Sequence, residues 1–265
     1  MWSLFWLRAA TVLYSLGLLQ TLLTLFKRGG RLFEPARTAF AIGAILHFVS
    51  LVEHGFAASS LYESLSLSAC FLAVAYLLIA KWYHFPSLSF IAFPIVFLLA
   101  ALAATETPTA GWADAGVRNA WLIAHVILVS CGYVAIVVTA AAAMAYLLQE
   151  RHLKKKETGG LFRNLPPLGT LDNLTSQAMT AGFVLITLGF FTAWAWAFIE
   201  SGSRWLSEAK VHISLLTWLF YLLVMYLRVV AGWRGRRAAF LAVYLLGFSV
   251  LTWVSHSGLR SLLER

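Results

Sequence analysis

The run WLIAHVILVSCGYVAIVVTAAAAMAYLLQERHLKKKE, residues 121–157, decides the class of this protein. From Trp121 to Leu148 it holds no Asp, Glu, Lys or Arg, and then it turns abruptly into ERHLKKKE. A helix needs about 20 apolar residues to cross the hydrocarbon core of a bilayer. The stretch 120–148 exceeds that, and the basic helical continuation behind it suits a lipid surface. The segment therefore reads as a membrane-spanning helix that runs on into a charged connection.

Seven more stretches follow the same logic, at residues 4–26, 36–52, 65–80, 88–104, 173–198, 211–230 and 238–256. The whole chain is 61% hydrophobic and 12% charged, against roughly 45–50% and about 25% for soluble domains. Alternating polarity is absent, so a β-barrel is not the expected fold. The first stretch is too long for the core of a signal peptide and lacks a small-residue cleavage site, which makes it a retained span. The expected fold is an all-α, polytopic transmembrane bundle of about eight spans, forming a single domain over residues 1–265. Cys70 and Cys131 both fall inside spans and form no CxxC motif, so they read as small apolar packing residues.

The formal net charge of +9 does not point to nucleic acid, because the cations sit in short loops. Lys27, Arg28, Arg31 and Arg37 flank the start of the second span, and Lys81 follows the third. Arg151, Lys154, Lys155, Lys156 and Arg163 follow the fifth, and Arg228, Arg234, Arg236 and Arg237 the seventh. These are alternate connections, which the positive-inside rule assigns to the cytoplasm. Both termini are then expected outside, in the cytoplasmic (inner) membrane of a bacterium.

That orientation brings the ends carrying His54, His125, His212 and His256 to one non-cytoplasmic edge. Ionisable groups are costly in lipid and mark sites, and neutral imidazoles beside tryptophan suit axial ligation of a haem or binding of a metal. His125 lies four residues after Trp121, on one helix face, and His256 four before Arg260. His54 can ligate or anchor a helix end, and His212, two residues after Lys210, suits an interfacial role. His47, deep in the second span, fits helix-to-helix hydrogen bonding as well as ligation. Tryptophan is lopsided too: only Trp82 and Trp233 belong to the cytoplasmic side, where an interfacial belt alone would be symmetric. The chain contains no HExxH, Walker or GxSxG motif.

Several strings resemble the cytochrome c assembly family of integral membrane haem-handling proteins, of CcsA type. SSLYESLSLSACFL (59–72) is similar to SNLYESLLFLAW, and WLIAHVILVSCGYVAIVVTA (121–140) to WLxxHVxxxxxSYAAFxxA. LPPLGTLDNL (165–174) with GFVLITLGFFTAWAWA (182–197) resembles PxLETLDxL…GFxLLTxGxxxGxxWA. LLTWLFYLLVMYLRVVAGWRGRRAAFLAVYLLGF (215–248) resembles ITWLxYxxYLxxRxxxGWRGRRAAxLxxxGF. The likeness runs from about residue 61 to the C-terminus. The family's platform WGxYWxWDPKExWxLITW is degenerate here, as SGSRWLSEAKVHISLLTW (201–218). Gly202, Trp205 and Lys210 persist, whereas Ser201, Ser207 and Ile213 stand where the family has tryptophan, and Glu208 where it has Asp. Where the family has a histidine in GLHSY, this chain has Arg260, with His256 one turn earlier; His54 is displaced by one residue. Such platforms resemble the YpjD/HemX-like branch.

The resemblance implies a haem-binding membrane protein that handles or delivers haem b, with His125 and His256 as axial ligands and His54 as a further candidate. Trp121 and Trp205 would pack on the porphyrin, and Arg204, Lys210 or Arg260 would meet the propionates. It implies lipids, haem and assembly proteins or apocytochrome as partners, and no nucleic acid. The chain would be no enzyme by itself, at most one subunit of a haem–cytochrome c ligase system. A HemX-like regulator or scaffold is the alternative.

Overall fold

The computed structural model describes residues 2–25, 33–56, 61–83, 88–105, 117–156, 165–201, 204–207 and 209–256. Among them are eight α-helices and no strand: α1 (Trp2–Leu25), α2 (Phe33–Glu53), α3 (Leu61–Tyr83), α4 (Ser89–Ala103), α5 (Val117–Lys154), α6 (Leu168–Ser201), α7 (Ala209–Val229) and α8 (Arg236–His256). Each coincides with one expected span. Six are long and apolar enough to cross a membrane, namely all but α4 and α8. The protein is a multi-pass, all-helical membrane protein. At a rise of 1.5 Å per residue, α5 is about 57 Å long, and its last turns carry Arg151 and Lys154 beyond the apolar run. Exposed Val12, Leu16 and Leu19 on α1, and Leu216, Leu219 and Leu223 on α7, give the apolar surface that lipid requires.

The chain forms two compact units, residues 1–123 and 124–265. In the first, α1 packs on α2 and α4, and α3 on α2 and α4. Each of these four helices contributes one ring to a closed aromatic core: Tyr14, Phe40, Tyr76 and Phe93, none more than 1% exposed. Phe40 stacks on Phe93 with ring centroids 4.5 Å apart, and Tyr14 and Tyr76 close around that pair. Glycine makes room for the rings, since a Cβ on Gly17 would stand 2.9 Å from the Phe93 ring. Close approach of this kind replaces the hydrophobic driving force that helices lack in lipid.

In the second unit, Ile136, Met179, Tyr221, Val224 and Leu245 build the core, with Ala143, Ala239 and Ala242 filling the narrow gaps. The Tyr221 hydroxyl donates to the Met179 carbonyl at 2.7 Å, at a place where a Cβ on Gly182 would collide with it. The hydroxyls of Thr217 and Thr252 join α7 to α8. At the other end of these helices, Arg228 of α7 grips Asp172 of α6 through two bonds of 2.9 and 2.8 Å to the carboxylate. It also donates to the Asp172 and Trp233 carbonyls, and the Gly235 amide donates to the same carboxylate. A two-pronged guanidinium–carboxylate pair is strong and directional. It pins the start of α6, the end of α7 and the turn into α8 at one point.

The Arg228 side chain is only 8% exposed, so removing its partner strands a cation. Asp172→Ala is expected to lower stability by about 3 kcal/mol, measured by unfolding in detergent. Adding Arg228→Met to that variant should recover at least half of the loss.

Candidate functional site

His125 sits four residues after Trp121, near the start of the long apolar run of α5, partly buried. What it touches is set by how closely α5 and α6 approach. A Cβ on Gly132 would lie 2.7 Å from the Ile186 side chain, and one on Gly189 would lie 2.6 Å from Cγ2 of Val129. These two absent side chains let α6 bring its backbone up to the His125 ring. There Nδ1 is 2.9 Å from the Gly189 carbonyl oxygen and 3.1 Å from the Thr192 hydroxyl oxygen.

The proton on that ring follows from its partners. The Gly189 carbonyl can only accept. With Nδ1 donating there, the Thr192 hydroxyl accepts from the same ring nitrogen and gives its own proton to the carbonyl at 2.8 Å. Nδ1 is therefore the protonated nitrogen, and the lone pair of the neutral imidazole is on Nε2. A backbone carbonyl that fixes Nδ1–H is the usual support for a histidine whose Nε2 binds a metal, because it sets the tautomer and the ring plane and raises the basicity of the ligand nitrogen.

Around this point α6 is braced by α7. The Trp218 indole lies between Phe183 and Phe190, with interplanar angles of 20° and 13° and centroids 6.4 and 5.7 Å away. Its Nε1–H donates to the Thr187 hydroxyl at 3.1 Å. Gly189 is thus flanked by two residues tied to one tryptophan, so its carbonyl is a fixed acceptor. Trp121, one turn before His125 on α5, is 36% exposed.

The other histidines are differently employed. His54 opens the turn that ends α2, where the Phe56 amide bonds to the Leu51 carbonyl and the Gly55 amide to the Val52 carbonyl. This is a Schellman termination, with Gly55 in the left-handed region at φ 71°. It delivers the His54 ring to Glu63, where Nε2 and Oε1 are 2.8 Å apart and both side chains are largely buried. Nε2 of His54 is thus already engaged by a carboxylate. His47 is fully buried, with Nδ1 3.4 Å from the Tyr14 hydroxyl and Nε2 2.9 Å from the Ser66 hydroxyl. Of the two alternatives open for His47, helix-to-helix hydrogen bonding is the arrangement found. Nearby, Trp6 donates to Glu53 and Ser50 to the Ser3 carbonyl, which ties the start of α1 to the end of α2.

His212 is exposed in the first turn of α7. His256 closes α8, Arg204 and Trp205 begin the 3-10 turn Arg204–Ser207, and Lys210 lies in the first turn of α7. The side chains of His256, Arg204, Trp205 and Lys210, and the whole of Arg260, lie outside the described residues. Among the described residues, no three or more His, Cys, Asp or Glu side chains converge as a metal cage would require. Residue spacing alone did not single out Thr192, Thr187 or Glu63. The usable signal was sparse: Thr187 and Thr192 are the only hydroxyl-bearing residues in the apolar stretch 181–199.

Comparisons with known proteins point one way. The profile of the family described as cytochrome C assembly protein matches residues 58–263. The chain is 31% identical over 217 residues to a cytochrome c biogenesis protein CcsA of Prochlorococcus marinus (strain MIT 9303), covering 71% of this chain and 68% of the relative. It is 30% identical over 247 residues to the protein of that name from strain MIT 9301, with 80% of each covered. It is 27% identical over 265 residues to the one from Mesostigma viride, covering 91% and 85%. No solved structure matches the chain.

The close approach at Gly189 makes a sharp prediction. Gly189→Ala should push Val129 and the whole of α5 outward, at a cost of about 1–3 kcal/mol. Unfolding in detergent measures it, and pairing the change with Val129→Ala should return the stability close to that of the parent.

Proposed function

Because the chain belongs to the cytochrome c assembly family, we propose that it binds haem and handles it for the assembly of cytochrome c, with His125 as an axial ligand of the iron through Nε2. The observation that carries this is the Nδ1–H bond from His125 to the Gly189 carbonyl, which leaves the lone pair on Nε2. A single prepared histidine fits haem better than a bare metal ion, because the porphyrin brings four of the iron's ligands itself, whereas a structural zinc needs four from protein. When bound, haem supplies the iron centre that a cytochrome c carries, so here it is cargo.

The remaining assignments follow from that reading. His256, at the end of α8, is the second axial candidate. His54 is the reserve, and it would have to release Glu63 or ligate through Nδ1. Trp121 and Trp205 would cover the porphyrin, and Arg204, Lys210 and Arg260 would meet the propionates with charge-assisted hydrogen bonds. The cargo is haem b, and the site faces the non-cytoplasmic side of a bacterial inner membrane, where apocytochrome or its assembly proteins can reach it. The family match draws on both compact units, which supports one assembly domain over residues 1–265.

Handling requires release as well as capture. Ser201, Ser207 and Ile213 replace three aromatic faces, each worth roughly 0.5–1.5 kcal/mol beyond its area. Loose retention of haem follows, as befits a carrier. That same degenerate platform favours the second reading, a HemX-like regulator or scaffold that carries no haem.

Absorbance separates the two. Protein purified in detergent after expression with ample haem should show a Soret band, which His125→Ala reduces at least fivefold while the protein remains folded. A colourless parent protein that takes up no added haemin would leave the regulator.

A further inference from the structure

The haem-handling reading assigns a role to His125 but none to the residue that holds it beside Gly189. We infer that Thr192 is a positioning residue for His125, and that its hydroxyl, by accepting the second share of the Nδ1 proton, fixes the plane of the ring that presents Nε2. This inference rests on that reading for its consequence, though not for its geometry.

Three distances close a small triangle: Nδ1 to the Gly189 oxygen at 2.9 Å, Nδ1 to the Thr192 oxygen at 3.1 Å, and the Thr192 hydroxyl to the Gly189 oxygen at 2.8 Å. One acceptor on Nδ1 defines the tautomer but does not by itself fix rotation about the Cβ–Cγ bond. A second acceptor, offset by nearly one helical turn on α6, removes that freedom. The hydroxyl is also a better acceptor for having donated its own proton, because linked hydrogen bonds polarise one another. The Gly189 carbonyl is common to any residue at that place, whereas the hydroxyl belongs to this side chain.

Valine and serine separate the two parts of the threonine side chain. Thr192→Val keeps its shape and removes the hydroxyl, and Thr192→Ser keeps the hydroxyl and removes the methyl. If the hydroxyl positions the ring, haemin dissociates about tenfold faster from Thr192→Val than from the parent, while Thr192→Ser stays within about twofold. Equal rates for Thr192→Val and the parent overturn the inference, and so does a Thr192→Ser variant as impaired as Thr192→Val. Nuclear magnetic resonance of protein without haem, labelled with ¹⁵N in histidine, gives the readout that does not depend on cargo. The Nδ1–H of His125 should exchange with water about tenfold faster in Thr192→Val and at the parental rate in Thr192→Ser. A parent protein that binds no haemin but shows this exchange pattern defeats the proposed function and sustains the positioning role. Unchanged exchange in Thr192→Val defeats the positioning role whatever the haemin result.

Discussion

Inside a bilayer no water is at hand to satisfy a polar group, so each one must find its partner on another helix or on its own. That constraint organises the joins between the described helices. Thr11, Thr21, Thr139, Thr175 and Ser249 return their hydroxyl protons to the carbonyl one turn back. Tyr221, Trp218 and Arg228 instead spend theirs on neighbouring helices, and so become the bolts between α6 and α7. The bond from His125 to the Gly189 carbonyl belongs to the same class, with one difference. An imidazole has two nitrogens, and satisfying the first determines the state of the second.

The histidines divide on that ground. His47 has both nitrogens engaged by hydroxyls in a dry core, and it acts as mortar between α1, α2 and α3. His54 offers Nε2 to a carboxylate at the end of α2, which serves the join between α2 and α3. His125 alone of these three has Nδ1 held by backbone, the arrangement that prepares Nε2 as a ligand. These three histidines are thus unlike in chemistry, and the difference comes from what stands opposite each ring.

All eight helices were legible in the sequence, because length and apolarity decide a span and both are local properties. The shortest, α4, keeps its helix through Pro94 and ends close to the expected boundary. The strings of the family resemblance also find physical causes. Gly189 admits α5, Thr187 receives Trp218, and the Asp172–Arg228 pair locks the GWRGRR turn through Gly235. What could not be read was which partner each polar group takes across a helix interface. The pairing of His54 with Glu63 depends on the Schellman turn at Gly55, and that of His125 with Thr192 on two glycines far apart in sequence. Spacing along one helix carries no record of such meetings.

Haem binding by this protein turns on Nε2 of His125. Pulsed electron paramagnetic resonance of the ferric haem-loaded protein, with histidine labelled by ¹⁵N at Nε2 alone, reads the nitrogen bonded to iron. The loss of one strong ¹⁵N coupling in His125→Gln, with none present when Nδ1 alone carries the label, is the predicted result. As many strong ¹⁵N couplings in His125→Gln as in the parent, or couplings that arise only from the Nδ1 label, would contradict it.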